Sequence, residues 1–236
     1  MTESTLRLCI RLAWAGVVLQ IVGTGIAIAA FTSGASGGYS PLNHFVSELT
    51  SPTLSPKAGV MSAALALGSL LSLPALGALA QVIGGRLARV ALVCAVVSSG
   101  AVVALAFAPM ENLGPHLHAA LVFFWSWLLT VFFFGLALLR RFSFRAAPVL
   151  CLASAFSLLA SAAFLTILTT AGILSGVKSI QLEPRQILEW LRTAPRPAVW
   201  EVAVLEWRVV LFVFIWVISA LRFLEKTARS TAPKLP

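Results

Sequence analysis

The chain has 236 residues, of which 59% are hydrophobic and 11% charged, and its mean hydropathy is +0.97. Soluble domains carry roughly a quarter of their residues charged, so this composition excludes an ordinary soluble enzyme or binding module and indicates an integral membrane protein. The net charge of +9 and pI near 10.8 do not indicate a nucleic-acid binder, because the basic residues stand at the ends of apolar runs, where they set membrane orientation.

Six stretches reach the roughly 20 apolar residues that a membrane crossing needs: 6–31, 58–83, 88–110, 116–139, 146–174 and 200–223. They predict an all-α fold, a polytopic bundle of six transmembrane helices in a single domain, 1–236. Loops follow at 32–57, 111–115 and 175–199, and a short basic tail, expected to be disordered, occupies 224–236. The first run ends in Ala27-Ile28-Ala29, which resembles a signal-peptidase site. Its apolar part exceeds the roughly 7 to 15 residues of a signal core, so a retained helix is expected.

After the first helix comes YSPLNHFVSELTSP, residues 39–52. Ser40-Pro41 is a suitable N-cap and first helical residue, which predicts a short helix over 42–49. His44, Ser47 and Glu48 would then share a face at i, i+3 and i+4, with Asn43 beside them. The second helix carries Ala64, Gly68 and Ser72 at a spacing of four, a packing stripe of the kind membrane helices need, and Pro74, which predicts a kink.

The fourth helix opens GPHLHAALVFFW. His116 and His118 are two apart, so they point roughly 200° from each other, and His118 is taken as the one facing the bundle. The fifth helix has its own small-residue stripe, Ala153, Ser157 and Ser161. Beyond it, EPRQILEWLR reads as a short interfacial helix anchored by Trp190 or as a helical loop packed on the bundle. In the last helix, WEVAVLEWRVV sets Glu206 and Arg208 about 9 and 12 Å below Trp200. Ionisable groups at that depth are candidates for function by default. Glu201 and Arg208 share a face, and Glu206 must seek a partner elsewhere.

Arg7, Arg11, Arg86, Arg89, Arg140, Arg141, Arg145, Arg222, Lys226, Arg229 and Lys234 gather at one end of this plan. Lys57, Lys178, Arg185, Arg192 and Arg196 gather at the other. The positive-inside rule then puts both termini in the cytoplasm, in what is expected to be the inner membrane of a bacterium, and the polar loops outside. Cys9, Cys94 and Cys151 lie near the starts of apolar runs and predict no structural disulfide, with acylation of a juxtamembrane thiol as the alternative.

The acidic residues are all glutamate, so any carboxylate chemistry falls to Glu. Asn43, Ser47, Glu48, His118, Glu206 and Arg208 map to the outer leaflet and form a candidate ligand-binding set, in which Arg208 could grip a phosphate with two hydrogen bonds. As a catalytic set, Ser47 is the candidate nucleophile or metal-water site, His44 or His118 the base, and Glu48 or Glu206 the orienting carboxylate. A purely structural polar clamp between helices accounts for the same residues. No metal is expected, since the three histidines lack the spacing of a helical zinc pair. No cofactor is expected either, because Walker, dinucleotide, heme CxxCH and zinc-cysteine motifs are all missing.

NHFVSELTSPTLSPKAGVMSAALALGSLL, FAPMENLGPHLHAALVFF and EWRVVLFVFIW together resemble the Frag1/DRAM/Sfk1 superfamily and a related bacterial family of uncharacterised six-helix membrane proteins. The resemblance implies the same six-helix plan and a link to lipid remodelling, lipid asymmetry or membrane trafficking. It places Ser47, Glu48, His118, Glu206 and Trp207 on matching positions, with Glu48 standing where Asp is usual. The leading expectation is a non-enzymatic protein that binds or organises outer-leaflet lipid head groups. An intramembrane lipid-modifying hydrolase or transferase is second. A small-solute transporter is third, because Gln20 and a few Ser and Thr are nearly all that is polar near the midplane. Membrane lipids are the expected partners, nucleic acid is not, and a homo-oligomer stays open.

Overall fold

The computed structural model describes residues 1–32, 38–142, 144, 147–170 and 196–231. Its helices are α1 (Glu3–Ala29), α2 (Ala58–Ile83), α3 (Gly85–Phe107), α4 (Leu113–Arg141), α5 (Pro148–Thr170) and α6 (Glu201–Thr231). All six are long and apolar enough to cross a membrane, and no strand occurs among the described residues. The interfacial helix expected around Trp190 lies outside the described residues, as do Arg145, Lys178, Arg185, Arg192 and Lys234.

One boundary moves substantially. The tail expected to be disordered after Phe223 continues as helix to Thr231. The cause is packing: Leu224 and Ala228 are buried in the core, and Glu225 accepts a 2.8 Å hydrogen bond from the Trp14 indole of α1. α2 runs as continuous helix through Pro74, which is exposed.

Each helix packs on the next in sequence, and α6 packs on both α5 and α1, which closes the bundle into a ring. The α1–α2 seam rests on small residues. A Cβ on Gly16 would stand 2.6 Å from the Gly68 carbonyl oxygen, Gly23 lies against Ala64, and Gly68 receives the stem of Gln20. Lipid tails are as apolar as leucine, so close backbone approach and interhelical hydrogen bonds hold such seams. On the other side of the ring, α5 joins α4 and α6 through buried serines. Trp216 Nε1 donates to Ser154 Oγ at 2.9 Å, and Trp127 Nε1 donates to Ser157 Oγ at 3.1 Å. Those two indoles meet edge to face at 5.4 Å. Ala153, Ser157 and Ser161 are all buried, so both stripes read from sequence are helix contact faces.

Candidate functional site

The segment after α1 folds over the end of the bundle where α2, α4 and α6 begin. Among its described residues a short 3₁₀ helix forms, Val46–Thr50, and the helix expected over 42–49 is displaced by competing partners. A helix would join Val46 N–H to Leu42 O. Instead Val46 N–H donates to Glu206 Oε2 at 2.7 Å, and Leu42 O accepts from Trp200 N–H at 2.7 Å. Phe45 N–H likewise donates to Glu48 Oε1 at 2.8 Å. Ser40 keeps a capping role through its hydroxyl, which accepts from Leu42 N–H at 3.3 Å.

Arg196, just ahead of α6, locks this cap. Its guanidinium grips Glu48 with two hydrogen bonds, Nη1 to Oε1 at 2.9 Å and Nη2 to Oε2 at 2.8 Å, and also donates to Asn43 O at 2.9 Å. The two side chains are 6% and 0% exposed. Burial pushes the Glu48 carboxyl above its ordinary range, against the opposing pull of Arg196 and the Phe45 amide. A second tie comes from Glu111 in the α3–α4 turn, whose Oε1 accepts from the Ser51 and Thr53 hydroxyls and from Thr53 N–H. Burial alone would raise its carboxyl, but these donors together hold it below the usual range.

His44 is fully buried in an aromatic cluster. Its ring lies 5.1 Å from those of Phe31 and Tyr39. The Tyr39 hydroxyl donates to Phe45 O at 2.9 Å and accepts from Trp207 Nε1 at 3.0 Å. Burial, aided by the Arg196 charge, lowers the imidazole to about 4. The unfolded chain takes up that proton near the ordinary value of about 6.5, whereas the folded protein resists it down to about 4. The stability contributed by neutral His44 is therefore complete above that window and falls as the pH drops through it. Melting curves of wild type and His44→Phe are expected to diverge between neutral pH and about 4, with wild type losing more. Parallel curves would show that the imidazole takes up its proton as readily in the folded protein as in the unfolded chain.

Beneath the cap, at the centre of the ring, lies a cavity of about 160 Å³ to which α1, α2, α3, α4 and α6 contribute. Glu206 lines it, with the Val46 and Ser47 amides hydrogen-bonded to its carboxylate. His116 and Thr50 stand with it at the cap end, and Gln20, Ser72 and Ser99 line the deeper wall. The remainder is mostly apolar and includes Phe124 and Trp127.

The residues singled out from the sequence do not converge on one pocket. Of the candidate ligand set, Ser47 and Glu206 reach this cavity. Glu48 is taken up by Arg196, and Asn43 donates to Pro197 O at 3.2 Å. His118 is exposed, and its Nδ1 lies 2.7 Å from Gly114 O of its own helix. The histidine facing the bundle is instead His116, 5% exposed, with Nδ1 2.8 Å from Ala108 O. The reason is the packed face of α4: position 116 lies in line with the buried Trp127, Val131, Phe134 and Leu138, and position 118 points to the other side. Arg208 shares the exposed face of α6 with Glu201, while Glu206 points in, so Arg208 does not meet Glu206. His44 packs as a core aromatic, away from the cavity.

Sequence reasoning missed Arg196, His116 and Glu111 as site-forming residues. The available signal for Arg196 was the charge balance. A fully buried Glu48 in a chain without Asp needs a cation, and Arg196 stands between two prolines directly before a helix. Comparison of the chain with known protein families, with curated proteins and with solved structures gives no match.

Proposed function

We propose that the protein is a non-enzymatic lipid-binding membrane protein, with its termini in the cytoplasm, whose central cavity takes the head group of an outer-leaflet lipid. The observation that carries this reading is Glu206, a carboxylate facing a largely apolar cavity with backbone amides behind it. An apolar cavity of about 150 Å³ accommodates a benzene-sized molecule, so a space of about 160 Å³ suits a head group rather than a whole lipid. A carboxylate beside aromatic rings favours a cationic group, since ring faces attract ammonium ions. Aminophospholipids such as phosphatidylethanolamine are therefore the class of ligand. The resemblance to the Frag1/DRAM/Sfk1 superfamily points the same way, towards lipid biology.

The test is native mass spectrometry of protein released from nanodiscs of phosphatidylethanolamine and phosphatidylglycerol. Glu206→Gln keeps an acceptor for Val46 N–H but removes the charge. Losing one charge-assisted contact of about 1.5–3 kcal/mol corresponds to at least about tenfold weaker retention of the amine lipid. Equal retention by wild type and variant would end this reading.

A further inference from the structure

At the opposite end of the bundle, the α2–α3 turn and the end of α4 border an open recess of about 530 Å³. This volume falls among ordinary small-ligand sites, which span roughly 300–1,000 Å³. The recess exists because α2 reverses into α3 through Gly84 and Gly85, with φ of +72° and +83°. Those are conformations glycine adopts without strain, and the turn presents no side chains to fill the gap beside α4. Arg86, Arg140 and Arg141 line it with Gln81, and Leu87 and Ala137 supply apolar wall.

Three exposed arginines, Arg86, Arg140 and Arg141, line one recess, and no carboxylate among the described residues pairs with them. At this end Glu3 is bound by Arg7, and Glu225 by Arg222 and Trp14. Membrane orientation alone would call for positive charge here, but not for its convergence on a recess. Arg140 and Arg141 also end α4, a helix long enough to span. The ends of spanning helices lie near the depth of lipid phosphates, where basic pockets between helices receive anionic head groups.

We propose that this recess binds the phosphate of an anionic phospholipid such as phosphatidylglycerol, in the leaflet on the side of the termini. The arginines hold the phosphate oxygens by paired N–H contacts, and Leu87 and Ala137 meet the apolar part of the lipid. The site is separate from the Glu206 cavity and does not depend on it.

The experiment uses the full chain in nanodiscs containing phosphatidylglycerol, with native mass spectrometry as readout. Two variants are needed: the triple variant Arg86→Gln, Arg140→Gln, Arg141→Gln, and Leu87→Trp, which narrows the recess while keeping every charge and hence the orientation signal. Both are expected to retain phosphatidylglycerol at least about tenfold less than wild type, while excess inorganic phosphate leaves the wild-type adduct in place. Unchanged retention in either variant overturns the proposal. Displacement of the lipid by inorganic phosphate also overturns it, because the site would then belong to a soluble phosphate.

Discussion

Replacing Arg196 by Met is expected to cost about 3–5 kcal/mol of stability, the usual penalty for removing one partner of a buried ion pair. The size of the effect follows from burial: with Glu48 0% exposed, its carboxylate is left with the Phe45 amide and no cation. The consequence extends beyond that pair. Arg196 also holds Asn43 O, so the cap loses one of its ties to the start of α6 and keeps those through Trp200 N–H and Glu206. A double variant, Arg196→Met with Glu48→Gln, is expected to recover at least half of the loss. It removes both charges and keeps an acceptor for Phe45 N–H, and uncharged replacements of buried pairs are often tolerated. Thermal unfolding in detergent measures both. Losses that simply add in the double variant would mean that the two residues do not act as a pair.

Gly16→Leu should be the most damaging change within the bundle itself. Its Cβ would press on the Gly68 carbonyl, and a backbone atom cannot swing aside as a side chain can. Overpacking typically costs 1–3 kcal/mol and occasionally more, and here the clash separates α1 from α2 along a seam with no alternative filler, so about 3 kcal/mol is expected. Gly25→Leu is the control, because nothing stands within 4 Å of its Cβ position. Size-exclusion profiles and melting temperatures of the two variants should differ sharply. Similar behaviour would show that α1 does not need its close approach to α2.

The fold was legible because a membrane restricts the choices. Long apolar runs must be helices, and the stripes on α2 and α5 mark the faces that meet neighbours. The inward direction of Glu206 was also readable, since Glu201 and Arg208 share the opposite face of α6. The cap was not. Its shape is fixed by contacts between residues far apart in sequence, Glu48 with Arg196 and Val46 with Glu206. These stop the helix after its first turn, in which Ser40 O accepts from His44 N–H at 2.9 Å. Choosing between His116 and His118 required knowing which face of the almost uniformly apolar α4 is packed, the one that carries Trp127, Val131 and Phe134. The polar groups on the deeper wall, Gln20, Ser72 and Ser99, look scattered along the chain and share a cavity only because the helices form a ring.

The most direct measurement is to irradiate a phosphatidylethanolamine carrying a photoreactive group beside its amine, in nanodiscs with the wild-type protein, and to locate the label by peptide mass spectrometry. If the head group enters beneath the cap, the label falls on cavity-lining positions such as Ser69, Phe124 and Val213, and Glu206→Gln depletes it there. Label confined to outward-facing positions such as Val122 and Leu211 would contradict a head-group site at the centre of the ring.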